Sequence, residues 1–291
     1  MSAVRILLQS LIDYAGLFPP AGLDMDAAVR NYAAYRKGED RWALGKFIVP
    51  ASRLAEFERA AAPLVEPTDP WPLSVLGGSD LNHDLAMILE HRYHPTRGLA
   101  IESLETKAAS TVEIDHATRI PRDLATYIEI PIAAPPDNLL AAIRLVGGRA
   151  KVRTGGVKAD LFPPSADVAR FLVACAAARV PFKATAGLHH PVRCVRPLTY
   201  EKNSATGPMH GFLNVFLAAA LVQGGMNAAN AAQILEESDP NEFSFDDHGA
   251  SWRDRRATRD ALATSRSTFA LSFGSCSFDE PIAELKELGL R

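Results

Sequence analysis

Apolar and polar positions along this chain follow two rhythms, a period of two in short β-rich runs and a period near 3.6 in the stretches between them. Residues 45–50 form the first predicted strand, followed by a helix over 52–62. Residues 73–78 form the next, with Asp80 capping a helix that runs to residue 89. Strands follow at 98–103, 125–131, 149–156 and 180–187, each leading through a polar or proline-marked break into another helical stretch. The interval 191–239 is longer and holds two helical pieces, 209–223 and 227–237, so it reads as an elaborated loop. Beyond it, 242–246 and 269–274 give two more strands, with a helix over 252–265 between them. Strands and helices alternating in this number predict an α/β chain folded as a (β/α)8 TIM barrel. Residues 1–44 precede the first of these strands and carry a helix over 24–36. They are expected to form an N-terminal extension that plugs the barrel bottom or reaches round to its mouth. A doubly wound open sheet is the competing architecture, but no GxGxxG follows the first strand.

Composition agrees with one barrel domain. The chain has 291 residues, 47% hydrophobic and 22% charged, with no Gly/Ser-rich linker to divide it. The net charge of -3 offers no basic field for a phosphate backbone, so nucleic acid is not an expected partner. The apolar run 211–222 is too short to span a bilayer, and no membrane partner is expected. The first residues lack the apolar core of a signal peptide. The three cysteines are widely spaced with no CxxC, a pattern that fits reduced thiols and a cytoplasmic location. Oligomeric state is left open.

In a barrel the chemistry lies at the C-terminal ends of the strands, where the βα loops gather. Glu102 ends the third predicted strand, and Glu129 sits between Ile128 and Ile130 near the end of the fourth. A carboxylate inside an apolar strand needs a partner. Lys151 and Arg153 alternate on the fifth and face the same way, and that strand runs into Gly155 and Gly156. On the sixth, Lys183, Thr185 and Gly187 share one face, and the chain continues directly into His189, His190 and Pro191. A lysine whose ammonium form is disfavoured by burial or by a neighbouring cation such as Arg153 supplies the neutral amine that attacks a carbonyl. A structural ion pair between Lys183 and Glu129 is the alternative role.

The segment from Lys183 to Gly187 resembles the K-x-x-x-G segment of class I aldolases of the deoxyribose-phosphate aldolase type, in which a sixth-strand lysine forms the imine. The resemblance implies Lys183 as the imine former, with Glu129 or Glu102 as the acidic proton-transfer residue. The chain departs from that family at 242–246, the expected seventh strand, which has no lysine where the family keeps a second one. His189, His190 and Pro191 have no counterpart there either.

Four of the eight histidines, His189, His190, His210 and His248, fall where the last βα loops begin or run. With Glu129 or Asp246 they suggest a divalent transition-metal site, drawn in its fullest form from His189, His210, His248 and Glu129. Adjacent histidines at a strand end point in opposite directions, so His189 and His190 are not expected to share an ion. Ser275 and Cys276 lie in the small-residue turn after the last strand, ahead of a predicted helix over 279–288. That turn and the Gly155-Gly156 pair are candidate anion cradles. Cys276 lacks an evident activating partner and reads as an inert thiol. Asp246, Asp247 and His248 follow the expected seventh strand, where a general base would sit, and the arginines at 253, 255, 256 and 259 read as a solvated helix face. Asp13 to Gly16 and then Phe18, Pro19 and Pro20 form a rigid, aromatic entry suited to a lid or a bottom plug.

The expected function is a carbon-carbon lyase, an aldolase of small-molecule metabolism acting on an anionic carbonyl substrate through a Lys183 Schiff base with no cofactor. Arg153, Lys151, Thr185, Glu102, Gly155, Gly156, Ser275 and Cys276 would bind substrate, and Glu129, His189 and His190 would move protons. The competing readings are a metal-dependent lyase, isomerase or hydrolase and a non-catalytic anion-binding barrel.

Overall fold

The computed structural model describes residues 2–93 and 96–290. Among them, eight parallel strands close into a barrel in chain order: β1 (Ile12–Tyr14), β2 (Leu44–Pro50), β3 (Trp71–Leu76), β4 (Leu99–Lys107), β5 (Ala125–Glu129), β6 (Arg149–Arg153), β7 (Phe182–Thr185) and β8 (Ala270–Ser275), with β8 pairing back onto β1. This is the (β/α)8 TIM-barrel fold. The outer faces of the strands and the inner stripes of the helices merge into one apolar core, typified by the fully buried Phe47, Val75, Ile128, Val152, Phe182 and Phe273. Local signals place the helices as expected: Asp24 caps Met25–Lys37 by accepting from the Ala27 N–H at 2.7 Å, and Asp80 accepts from the Asn82 and His83 N–H groups.

The strand count is right for a different set of strands. Ile12–Tyr14, inside what sequence reading treats as an extension, is itself the first barrel strand, seated between Leu44–Phe47 and Phe273–Ser275. Residues 242–246 are not in the barrel. Phe243–Phe245 pairs antiparallel with Gly249–Trp252, which pairs with Arg255–Thr258. This three-stranded sheet packs on the helices Ala3–Leu8, Phe212–Gln223 and Arg259–Thr268. The expected helix over 252–265 therefore starts only at Arg259, capped by Thr258. The exposed arginines 253, 255 and 256 lie on the sheet or its turn instead, and still meet acidic partners at Glu237, Glu242, Asp246 and Asp254.

The long loop after β7 is elaborated as expected, holding the antiparallel hairpin Cys194–Pro197 with Thr206–Met209 and the helices Phe212–Gln223 and Ala228–Glu236. By length and composition Ala159–Ala178 would be long and apolar enough to cross a membrane, a stretch the sequence reading did not single out. Its helix Ser165–Ala178 is a barrel helix whose Val168, Ala169, Phe171, Leu172 and Cys175 are buried in the core.

Because β1 is recognised only in three dimensions, the six strands from 44–50 to 182–185 each move up one place, while the loss of 242–246 leaves 270–275 eighth. Lys151 is on the sixth strand and Lys183 on the seventh.

Candidate active site

Inward-facing positions near the C-terminal ends of the strands carry a chain of alternating charges. Lys183 Nζ, fully buried, lies 2.7 Å from Asp13 Oδ2 on β1 and 2.6 Å from Glu105 Oε1 on β4. The other oxygen of Glu105 lies 2.9 Å from Lys151 Nζ, which lies 2.9 Å from Glu129 Oε2. Glu129 Oε1 in turn accepts from Arg153 Nε at 3.1 Å, with Lys107 Nζ 3.9 Å away. Parallel register explains part of this alignment, since Glu129, Lys151 and Lys183 stand opposite one another across β5, β6 and β7. Hydroxyls complete the carboxylates: Ser74 donates to Glu105, Ser103 to Ser74, and Ser272 to Asp13, while the Lys46 N–H donates to the second oxygen of Asp13.

These contacts fix the protonation states. Burial alone would raise Glu105, but the Lys183 and Lys151 ammonium groups hold its carboxyl well below the usual range. Burial likewise works to raise Glu129, and Lys151 and Arg153 outweigh it, leaving the carboxyl low. Burial works to lower Lys183, and Asp13 and Glu105 outweigh it, so its amine is held protonated above the ordinary lysine value.

Above this network lies a cavity of about 280 Å³. Its floor includes Glu105, Glu129, Lys151 and Arg153, and its walls include Lys107, Thr185, Gly156, His189 and Cys276. Ala15, Phe18, Pro19 and Pro20 from the loop after β1 line one side, so this rigid entry belongs to the mouth and not to the bottom. Lys107, Lys151 and Arg153 face two carboxylates in this lining, which leaves a surplus of positive charge for an anionic ligand. Lys183 does not line the cavity among the described residues; it lies beneath Glu105 and Lys151.

The other expected site residues divide sharply. Glu102 is not a strand end: it sits on a bulge in the middle of β4, half exposed, with Lys46 Nζ 3.5 Å away. The bulge resets the alternation, so Ser103, Glu105 and Lys107 become the inward positions. Lys183 pairs with Asp13 and Glu105, and the expected bond to Glu129 goes to Lys151 instead. Gly155 packs against Gly187 so closely that a Cβ on it would stand 2.8 Å from the Gly187 Cα, and Gly156 beside it lines the cavity. Ser275 is buried, with its Oγ accepting the Ser277 N–H; Ser277 in turn accepts from Glu280 N–H, and Asp279 and Glu280 open the helix Asp279–Glu287. At that helix start Ser277 takes the Glu280 N–H, and the first turn carries two acids, which disfavour an anion there. The Cys276 thiol lines the cavity and is pushed up by burial.

The histidines are not brought together. His189 Nδ1 lies 3.0 Å from Glu280 Oε2, and His190 Nδ1 lies 2.7 Å from Glu284 Oε1, one turn further along the same helix. The two rings diverge, with centroids 6.4 Å apart. His210 is buried, its Nε2 bonded to the Pro163 carbonyl. His248 is exposed in the turn of the antiparallel sheet, and Asp246 beside it holds Arg256 at 2.5 Å. Of the four suggested metal ligands only His189 and Glu129 line the cavity, and among the described residues no group of three or more His, Cys, Asp or Glu is arranged to hold a metal ion.

Sequence reading missed Asp13 and Glu105, the two carboxylates on Lys183. Asp13 carries the same signal as Glu129, a carboxylate flanked by apolar residues, but three residues are too few to show a strand's alternation. Glu105 lay beyond the assumed end of its strand.

Compared with known proteins, the chain matches no family model, no curated protein and no solved structure.

Proposed function

We propose that this barrel is a carbon-carbon lyase that acts on a small anionic carbonyl compound through an imine, and that the amine is that of Lys151. One observation carries the reading: Lys151 is a buried lysine that lines the cavity, held between Glu105 and Glu129. The two ionised carboxylates fix the amine on the cavity floor within reach of a carbonyl carbon and stabilise the positive charge of the protonated imine that forms on it. Lys183, expected from sequence to be that amine, is also held by two carboxylates but does not line the cavity, and Lys151 does. Its position suits a different task, holding Glu105 ionised beneath Lys151.

The corrected strand count supports the same reading. The resemblance to the deoxyribose-phosphate aldolase type implies an imine lysine on the sixth strand and a second lysine on the seventh, and these are the strands of Lys151 and Lys183. Arg153 and Lys107, at the rim, suit the anionic group of the substrate.

The test is reductive trapping. Incubation with borohydride and a panel of pyruvate, 2-oxobutyrate and dihydroxyacetone phosphate is expected to add irreversible mass to the peptide bearing Lys151, and Lys151→Met is expected to abolish the adduct. An adduct on the Lys183 peptide would return the imine to the seventh strand; no adduct with any of the three compounds would overturn the reading.

A further inference from the structure

An imine lyase needs a group that moves a proton at the carbon next to the carbonyl. The inner carboxylates are poorly suited, since Glu105 and Glu129 are held as weak bases by the cations around them. His189 lines the same cavity, at the start of the loop after β7. Its Nδ1 is 3.0 Å from Glu280 Oε2, and Glu280 is also held by the Tyr200 hydroxyl at 3.3 Å. Tyr200 comes from the loop of the hairpin over this side of the mouth and lies 3.9 Å from Cys276 Sγ. A carboxylate on Nδ1 makes Nδ1 the protonated nitrogen and leaves Nε2 with its lone pair, the tautomer of a general base. Among the described residues no protein group bonds Nε2.

Resting on the imine reading, we propose that His189 Nε2 is the base that takes the proton from the substrate carbon next to the imine, and that Glu280 is a positioning residue that fixes the tautomer and ring orientation. The Lys151 ammonium gives up one proton as its amine adds to the carbonyl and a second as the carbinolamine hydroxyl leaves, so that ammonium and carbonyl give the protonated imine and one water. His189 then takes a proton from the adjacent carbon, the electron pair of that C–H bond forms the enamine double bond, and the C=N π electrons return to nitrogen. The imidazolium then trades that proton with solvent through the cavity mouth and delivers a solvent proton back to the carbon, which completes the exchange. His190 is excluded from this role by geometry, since its ring turns away to Glu284.

The test follows solvent exchange and trapping side by side on the full chain. Proton NMR in D2O reads deuterium entry into the methyl group of pyruvate and the methylene of 2-oxobutyrate, while borohydride trapping reads imine formation. Wild type is expected to do both, and Lys151→Met neither. His189→Gln is expected to keep trapping at the same half-saturating pyruvate concentration and to lose exchange by about 100-fold or more. Glu280→Leu is expected to slow exchange roughly 10- to 100-fold with trapping unchanged. Glu280→Gln, whose amide oxygen still accepts from Nδ1, is expected to recover most of that loss, a rescue that a purely structural role for Glu280 would not give. Exchange at the wild-type rate in His189→Gln, with trapping intact, overturns the proposal. Absence of trapping in wild type overturns the imine reading beneath it.

Discussion

Lys183 Nζ lies 2.6 Å from Glu105 Oε1, joining β7 to β4 across the barrel interior with neither side chain open to solvent. The second oxygen of Glu105 carries Lys151, so one carboxylate ties a sealed lysine to the lysine on the cavity floor. Ions buried in this way are retained only when every member is paired, because the cost of desolvating each is several kcal/mol.

Removing one member should therefore be costly. Lys183→Met leaves Asp13 and Glu105 facing each other without their shared cation, and is expected to lower stability by about 3–5 kcal/mol in urea unfolding. Adding Asp13→Asn to that variant is expected to return part of the loss, since it removes one of the stranded charges.

The pH dependence of stability should have two distinct limbs. Glu105 has a folded-state pKa held below its unfolded value, so its contribution is present above the ordinary carboxylate range and is lost as pH falls through the lower folded value. At the other end, burial works to lower His190, but the Cys194 thiol and the Glu284 carboxylate carry it up to about 10. A raised folded-state value means its contribution is full below about 6.5, the unfolded histidine value, and is lost as pH rises toward 10. Thermal melts between pH 7 and 10 are expected to fall in wild type and to be flatter in His190→Gln.

Backbone approach between the loops after β6 and β7 depends on the absence of side chains. In Gly155→Ala the new Cβ would meet Phe162 Cε1 at 2.5 Å and the Gly187 Cα at 2.8 Å. Gly187 itself has φ +77, so it cannot easily shift to make room for a side chain of its own. Gly155→Ala is expected to cost about 1–3 kcal/mol in chemical denaturation.

Anion capture should reside in the rim cations. Arg153→Met is expected to raise the half-saturating concentration of an anionic carbonyl compound by roughly tenfold or more in the trapping assay, the loss of one charge-assisted hydrogen bond. Lys107→Met should do less, because that side chain is largely exposed and its attraction is screened.

The solvent-facing bulge on β4 gives the control. Glu102→Ala is expected to change stability by no more than about 0.5 kcal/mol and to leave trapping unaltered, since Glu102 meets only a loosely held Lys46 outside the cavity.

The sequence by itself determined the class of fold and much of the inner charge pattern. Period-two runs with inward Glu129, Lys151, Arg153 and Lys183 were legible because alternation on an unbroken strand follows from backbone geometry alone. Three decisions belonged to the tertiary structure. Ile12–Tyr14 is a strand because β2 and β8 offer hydrogen bonds on both sides, and three residues carry no periodicity that could announce it. With it went the numbering of the six strands that follow it and the identity of Asp13 as a partner of Lys183. The bulge at Glu102 turned β4 over, so the local pattern pointed to Glu102 while the ladder with β3 turned Glu105 inward. Lastly, His189 and His190 acquired separate partners from Glu280 and Glu284, residues more than ninety positions away, once the final helix packed beside the loop after β7. Each of these outcomes rests on pairing between distant segments, and local sequence cannot encode a partner that only chain closure supplies.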